Sequence, residues 1–324
     1  MLRHHPPLMG DAPAIEAVGL SKSYGSFSAI SDVGLEVGKG EFMGLLGPNG
    51  SGKSTTLKAI TGLIVPDSGR VWINGIDIQD HRRAMERVGC VIETPEPYPN
   101  FTPAETLDYV GRLYGMDSYE IAIRARDVLE SVRMWDWRDK RIGSFSKGMR
   151  QRIVIAQALM PNPETLILDE PTSGLDARGM IEVRLLLSEL RQRGRSLLVS
   201  THILKEVSEI CGSVTMIRKG RVVRSGKVSE LVKGLSDTSV VLEVETMRPL
   251  TRELVYDIDA LEGVSGTKML SPTRVRMIFD GTTEQQCRLT DMVYGSGLGV
   301  RHINEQGPDL EALYMDVTMA EDIL

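Results

Sequence analysis

Apolar and polar positions alternate from Ile15 to about Gly38, interrupted by turn residues at Ser21–Gly25 and Gly38–Gly40. A period of two with such breaks predicts short antiparallel strands. The pattern then changes. Phe42–Leu46 is an unbroken apolar run that stops at Gly47, as a buried strand does. Lys53–Thr61 has helical character and ends at Gly62. Asp67–Asp77, with turns at Ser68–Gly69 and Asn74–Gly75, predicts a hairpin that returns to the antiparallel region. Thr102 to about Trp137 predicts mostly helix: Thr102 suits the N-cap, Pro103 the first helical position, and Glu105 completes a capping box. Lys147–Leu159 predicts another helix. The short apolar runs Thr165–Leu168 and Ser196–Ser200 predict buried parallel strands, with helix Met180–Arg193 as the crossover between them. Val214–Arg218 and Val222–Ser225, joined at Lys219–Gly220, predict a last hairpin.

After Gly226 the alternation takes another form. Lys227–Leu235 predicts a short linking helix. Strand Ser239–Glu245, helix Thr251–Ile258, strands near Val264–Leu270 and Arg274–Phe279, helix Thr283–Tyr294, strand Val300–Ile303 and helix Asp309–Asp316 then follow. That order is close to a split β-α-β unit of ferredoxin-like type. The expected fold class is therefore α/β, with a small α+β domain at its C-terminal side.

Composition narrows the function more than the fold. Apolar residues make up 41% of the 324 positions and charged residues 25%, ordinary for a soluble globular protein. The formal net charge of −6 argues against a dedicated nucleic-acid binder, so no nucleic-acid partner is expected. Cys90, Cys211 and Cys287 are widely spaced and form no CxxC pair, which argues against zinc ligation and a disulfide framework and fits a reduced cytosolic setting. No apolar run reaches the roughly 18–20 residues that cross a bilayer. Met1–Pro13 lacks the apolar core of a secretory signal and reads as a mobile tail, His4 and His5 included. Work at a membrane would thus require a partner to hold the chain there.

Chemistry is concentrated at two places. Gly47-Pro48-Asn49-Gly50-Ser51-Gly52-Lys53-Ser54-Thr55 matches G-x-x-x-x-G-K-[ST], follows an apolar strand and opens a helix. Glycines let successive backbone N–H groups point at phosphate oxygens, and the helix N-terminus adds a positive dipole end. Lys53 can reach the β- and γ-phosphates and the Ser54 hydroxyl can hold magnesium. Leu166-Ile167-Leu168-Asp169-Glu170 is an apolar strand that ends in two carboxylates. Adjacent strand residues face opposite ways, so the two acids have different tasks. Asp169 is placed to ligate magnesium, directly or through water, and Glu170 to orient or deprotonate an attacking water. Ser200-Thr201-His202 ends the next apolar strand at the same sheet edge, where ligands of open α/β sheets bind. His202 can there contact a γ-phosphate or the water. Ser173-Gly174-Leu175-Asp176 forms a tight loop after Pro171.

These residues resemble the ABC ATPase family. Phe145-Ser146-Lys147-Gly148-Met149-Arg150-Gln151-Arg152 is similar to that family's signature, LSGGQ followed by Q-R, and stands between the cradle and the acidic pair as in the family. It departs at Phe145, Lys147 and Met149 and keeps Ser146 and Gly148. The resemblance covers Ile15 to about Gly226. It implies an ABC ATPase domain over 15–235 with a helical subdomain at about 96–163, a C-terminal accessory domain over 236–324, and a tail over 1–14. It also implies ATP and magnesium as ligands, and a head-to-tail dimer with a second copy or a closely related ATPase subunit. In that dimer Ser146 and Gly148 of one subunit close over ATP held by the other. Tyr24 would stack on adenine, and Asp176 would belong to a loop that links the two sites.

Where family members usually carry Gln, Val88-Gly89-Cys90-Val91-Ile92-Glu93 places Glu93, implied to sense the γ-phosphate and magnesium. Glu there resembles the bacitracin- and daunorubicin-type exporter branch, as do Tyr98-Pro99-Asn100-Phe101-Thr102, Ser146-Lys147-Gly148-Met149 and, more weakly, Asp309–Tyr314. The implied function is an ATPase driving a separate membrane-spanning permease, peripheral on the cytoplasmic face of the membrane. Two alternatives are a non-transport ABC ATPase and a nucleotide-gated regulatory module. The first usually shows a second cassette or a long coiled coil, and neither is visible. The second would be expected to have lost Lys53, Glu170 or His202.

Overall fold

The structure, a computed structural model, describes residues 12–93, 96–233, 240–306, 310–311 and 313–314. The chain separates into two compact units, Met1–Ser225 and Gly226–Leu324. Nearly all of the tail, including His4 and His5, lies outside the described residues. So do Thr94 and Pro95 after Glu93, and half of the expected closing helix.

The first unit is built on two sheets. Four antiparallel strands lie in the order Phe27–Val37, Ile15–Tyr24, Ser68–Ile73, Ile76–Asp77. Ile15 sits opposite both Val37 and Ile73. Six strands form the second sheet, in the order Arg221–Lys227, Ser213–Arg218, Phe42–Leu46, Ser196–Thr201, Thr165–Asp169, Val88–Val91. Its inner strands are parallel: Leu46 pairs with Thr201 and Asp169 with Ser200, so their carboxyl ends share one edge. All five residues of Phe42–Leu46 and all six of Ser196–Thr201 are buried, which accounts for their unbroken apolar runs.

Helix Lys53–Ile60 lies in the core that joins the two sheets. Its Leu57, Ala59 and Ile60 pack in one cluster with Ile15, Leu20 and Ile73 of the antiparallel sheet and Leu45, Ile167 and Leu198 of the parallel sheet. Fully burying each Leu or Ile contributes about 1.5–3 kcal/mol, so the helix is held hard against both. The expected helical stretch from Thr102 is two helices, Pro103–Leu113 and Ser118–Ser131. Each starts with a complete capping box, Thr102 with Glu105 and Asp117 with Glu120. Helix Lys147–Leu159 packs against both.

The second unit has its own core. Strands Val264–Ser271, Arg274–Phe279, Val240–Thr246 and Val300–Gln306 form an antiparallel sheet in that spatial order. In chain order, with helices Arg252–Asp259 and Thr283–Gly295, they run β-α-β-β-α-β. Leu242, Val244, Val275, Met277 and Phe279 pack with Ile258, Leu289 and Val293 of the helices. Leu310 and Leu313 are buried, and Glu311 pairs with Lys268 at 3.1 Å and with Arg276.

Candidate functional site

Strand Phe42–Leu46 delivers the chain to Gly47 at the carboxyl edge of the parallel sheet, and residues 47–52 turn it into helix Lys53–Ile60. Two glycines make the turn possible. A Cβ on Gly47 would stand 2.3 Å from the Ile217 carbonyl oxygen and 2.5 Å from Ser51 Oγ. Gly52 is the helix N-cap with φ 106°, a backbone that L side chains avoid. No side chain caps this helix, so none competes with an anion for its first N–H groups. Ser51 is 3% exposed and its hydroxyl has no hydrogen-bond partner among the described residues. Such an orphan costs about 1–3 kcal/mol, and a phosphate oxygen in the cradle would relieve it. The donor set therefore fits a phosphate chain.

Lys53 is 5% exposed. Its Nζ donates to the carbonyl oxygens of Gly47 at 2.9 Å and Pro48 at 3.1 Å, and stands 3.3 Å from Glu170 Oε1. The other Glu170 oxygen, Oε2, lies 3.3 Å from His202 Nδ1. One carboxylate thus bridges the cradle lysine and the histidine of the neighbouring strand end. Glu170 has left the strand: its φ is 44°, and its N–H donates to both the carbonyl and the hydroxyl oxygen of Ser200. The Ser200 hydroxyl in turn donates to Asp169 Oδ1. Asp169 remains on the strand and is 7% exposed. The cleft above is lined by Phe27, Ala29, Asn49, Gly50, Gly52, Lys53, Ser54, Thr55 and Glu170.

Other residues singled out from the sequence sit elsewhere. Ser146 caps helix Lys147–Leu159, its hydroxyl accepting the Met149 N–H at 3.2 Å. Asp176 caps helix Ala177–Gln192, its Oδ1 accepting the Gly179 N–H at 2.9 Å. The two helix starts touch: a Cβ on Gly148 would lie 3.3 Å from Gly179 Cα. Neither Ser146 nor Asp176 lines the cleft. Tyr24 ends its strand opposite Phe27, half exposed, with Lys22 Nζ 5.9 Å from its ring centre. It is Phe27, passed over in the sequence, that borders the cradle. Glu93, φ 64°, pairs with Lys58 of the cradle helix and does not line the cleft. That hydrogen bond holds the Lys58 ammonium above the ordinary lysine range. Ser200 was also missed, since only the strand register brings its hydroxyl to Asp169.

Known proteins resemble this chain in sequence and in fold. The ABC transporter family pattern matches residues 30–173. The ABC transporter ATP-binding protein NatA of Bacillus subtilis is 38% identical over 227 residues, 69% of this chain and 91% of NatA. The chain belongs to the ABC transporter ATP-binding proteins. The similarity to this family extends through the second unit: the Nod factor export ATP-binding protein I of Ralstonia nicotianae is 32% identical over 318 residues, 97% of each chain. The linearmycin resistance ATP-binding protein LnrL of Bacillus subtilis is 34% identical over 228 residues, 70% of this chain and 73% of LnrL. Among solved structures, an ATP-binding subunit of an ABC transporter superposes with TM-score 0.61 at 32% identity, over 68% of this chain and 92% of its own. A dimeric bacterial ABC transporter cassette superposes with TM-score 0.60 at 27% identity, over 66% and 98%. The first unit of this ABC subunit is accordingly a P-loop ABC ATPase domain, and ATP is its ligand. Among the described residues no helix is long and apolar enough to cross a membrane.

Proposed function

We propose that this chain is the ATP-hydrolysing subunit of an exporter, coupled to a separate membrane-spanning permease on the cytoplasmic face of the membrane. The observation that carries the reading is the bridging Glu170 carboxylate, 3.3 Å from Lys53 Nζ and 3.3 Å from His202 Nδ1 at the mouth of the cradle. Lys53 and backbone N–H groups within residues 49–55 bind the β- and γ-phosphates. Glu170 orients the attacking water and takes its proton, and His202 steadies both the carboxylate and the γ-phosphate. Ser54, Asp169 and, through water, Glu93 would hold magnesium, which neutralises charge on the phosphates when bound. Among the described residues no cluster of three or more His, Cys, Asp or Glu side chains is prepared for a metal. That suits magnesium, which keeps waters and binds through few carboxylates together with substrate phosphates.

Ser146 and Asp176 cap helices away from this chain's own cleft, which favours a head-to-tail dimer of two copies or of two related subunits. In it Ser146 and Gly148 of each copy meet the nucleotide of the other, and Tyr24 stacks on the adenine. Export rests on the named relatives, of which the Nod factor export protein matches both units. Phosphate release with magnesium and in chelator, together with co-purification from membranes, tests the assignment. Magnesium-dependent turnover and a co-purifying permease are expected. Turnover without any membrane partner in the native host would remove the transport role.

A further inference from the structure

We propose that Glu206 is a positioning residue for hydrolysis, a buried brace between the loop that carries Glu170 and the strand end that carries His202. The proposal rests on the roles given above to those two residues. Glu206 lies in helix Leu204–Ile210 and is 5% exposed. One carboxylate oxygen accepts from the Thr172 hydroxyl and the other accepts from the Thr201 hydroxyl at 2.7 Å. Both threonines are 2% exposed. Thr172 stands two residues beyond Glu170, in a turn closed by the Ser173 N–H on the Glu170 carbonyl at 3.0 Å. Thr201 immediately precedes His202, and its oxygen also accepts the Ile203 N–H at 3.0 Å.

The brace therefore ties the end of one strand to the end of the next, with Thr172 and Glu206 34 positions apart in the chain. Its two ends flank the contact that matters for hydrolysis, the 3.3 Å approach of His202 Nδ1 to Glu170 Oε2. Burying a carboxylate is costly unless its oxygens are hydrogen-bonded. An apolar residue would fill the same space without that cost. What the carboxylate adds is direction: two acceptors on one rigid plane fix the separation of two hydroxyl-bearing backbones. The Glu170 side chain is 26% exposed and that of His202 40%, so neither is fixed by burial alone.

The test uses the full chain. Glu206→Gln and Thr172→Val should each lower kcat by about tenfold, the scale of a misplaced catalytic group. ATP affinity should stay within about twofold, since the cradle is untouched. Thr172→Ser, which restores the hydroxyl, should recover kcat to within about twofold of wild type. The double variant Thr172→Val with Glu206→Gln should be no slower than the slower single variant. Amide exchange supplies a readout independent of turnover: Thr172→Val should quicken exchange in residues 200–206 as well as in 170–176. Additive kinetic losses, unchanged kcat, or exchange that quickens only in 170–176 would overturn the brace. If the wild-type chain fails to hydrolyse ATP, the hydrolytic reading falls, and the exchange pattern alone decides whether Glu206 couples the two segments.

Discussion

The Glu170 N–H is shared between two oxygens of a single residue, the Ser200 carbonyl at 3.2 Å and the Ser200 hydroxyl at 3.0 Å. A non-glycine residue at φ 44° persists only where its surroundings hold it. Ser200 is that hold, and because its hydroxyl also donates to Asp169, it sets both acids at once.

Ser200→Ala should therefore damage chemistry more than binding. It removes one acceptor from the Glu170 N–H and the hydroxyl that donates to Asp169, at a fully buried position. A loss of about 1–3 kcal/mol in stability is expected from the unpaired groups. A fall in kcat of about tenfold should accompany it, with ATP affinity nearly unchanged. Steady-state kinetics and denaturant unfolding of the same preparation check both parts.

Gly47→Ala should lose ATP binding. The added methyl would stand 2.3 Å from the Ile217 carbonyl oxygen, so backbone must move, and it would crowd Ser51 Oγ at 2.5 Å. Overpacking of this kind costs about 1–3 kcal/mol, taken from the geometry of the cradle. Isothermal titration with ATP should show a loss of affinity of at least about tenfold; wild-type affinity would mean that the turn can shift without consequence.

Ser146→Arg should abolish turnover yet leave ATP binding to the single chain intact, because Ser146 lies outside its own cleft. The lost cap costs about 1 kcal/mol of helix stability. Mixed with Lys53→Ala chains, it should form dimers in which one site combines an intact cradle with an intact signature. Partial recovery of phosphate release in such mixtures is the expected outcome. Complete absence of recovery, with mixed dimers verified, would count against a site shared between subunits.

For Glu93 the structure adds a partner that the sequence did not suggest. Its carboxylate is paired with Lys58, so part of its charge is already offset. Glu93→Gln should keep magnesium-dependent hydrolysis within about tenfold, under about 1.4 kcal/mol of barrier. It should also tighten ATP binding in chelator. Lys58→Ala should do the opposite, uncovering the Glu93 charge and weakening ATP in chelator more than with magnesium. Affinities measured in both conditions decide; no change in either variant would place Glu93 outside the nucleotide's electrostatic reach.

The parts of the site that are contiguous in the chain were legible in the sequence. The cradle, the Asp169–Glu170 pair and the Thr102 capping box each declare themselves within nine residues or fewer, because local backbone geometry dictates their residue types. Short apolar runs marked the parallel strands for the same reason: burial on both faces leaves no polar alternation. What was not legible depends on register. Ser200 meets Asp169, and Thr172 meets Thr201 through Glu206, only because two strands pair in one alignment. Helix Ala177–Gln192 begins earlier than the expected Met180, since Asp176 serves as its cap. Helix Leu204–Ile210 went unread, being too short to show a period.

The role proposed for Glu170, activating water while the cradle holds the phosphates of ATP, is tested most directly by Glu170→Gln. Phosphate release and ATP-dependent sedimentation should be measured on the same protein with magnesium. Turnover should fall by about 10²–10⁴-fold, ATP affinity should be retained, and ATP should now hold the chain as a dimer, since closure is linked to nucleotide occupancy. Turnover at the wild-type rate in Glu170→Gln would contradict that role.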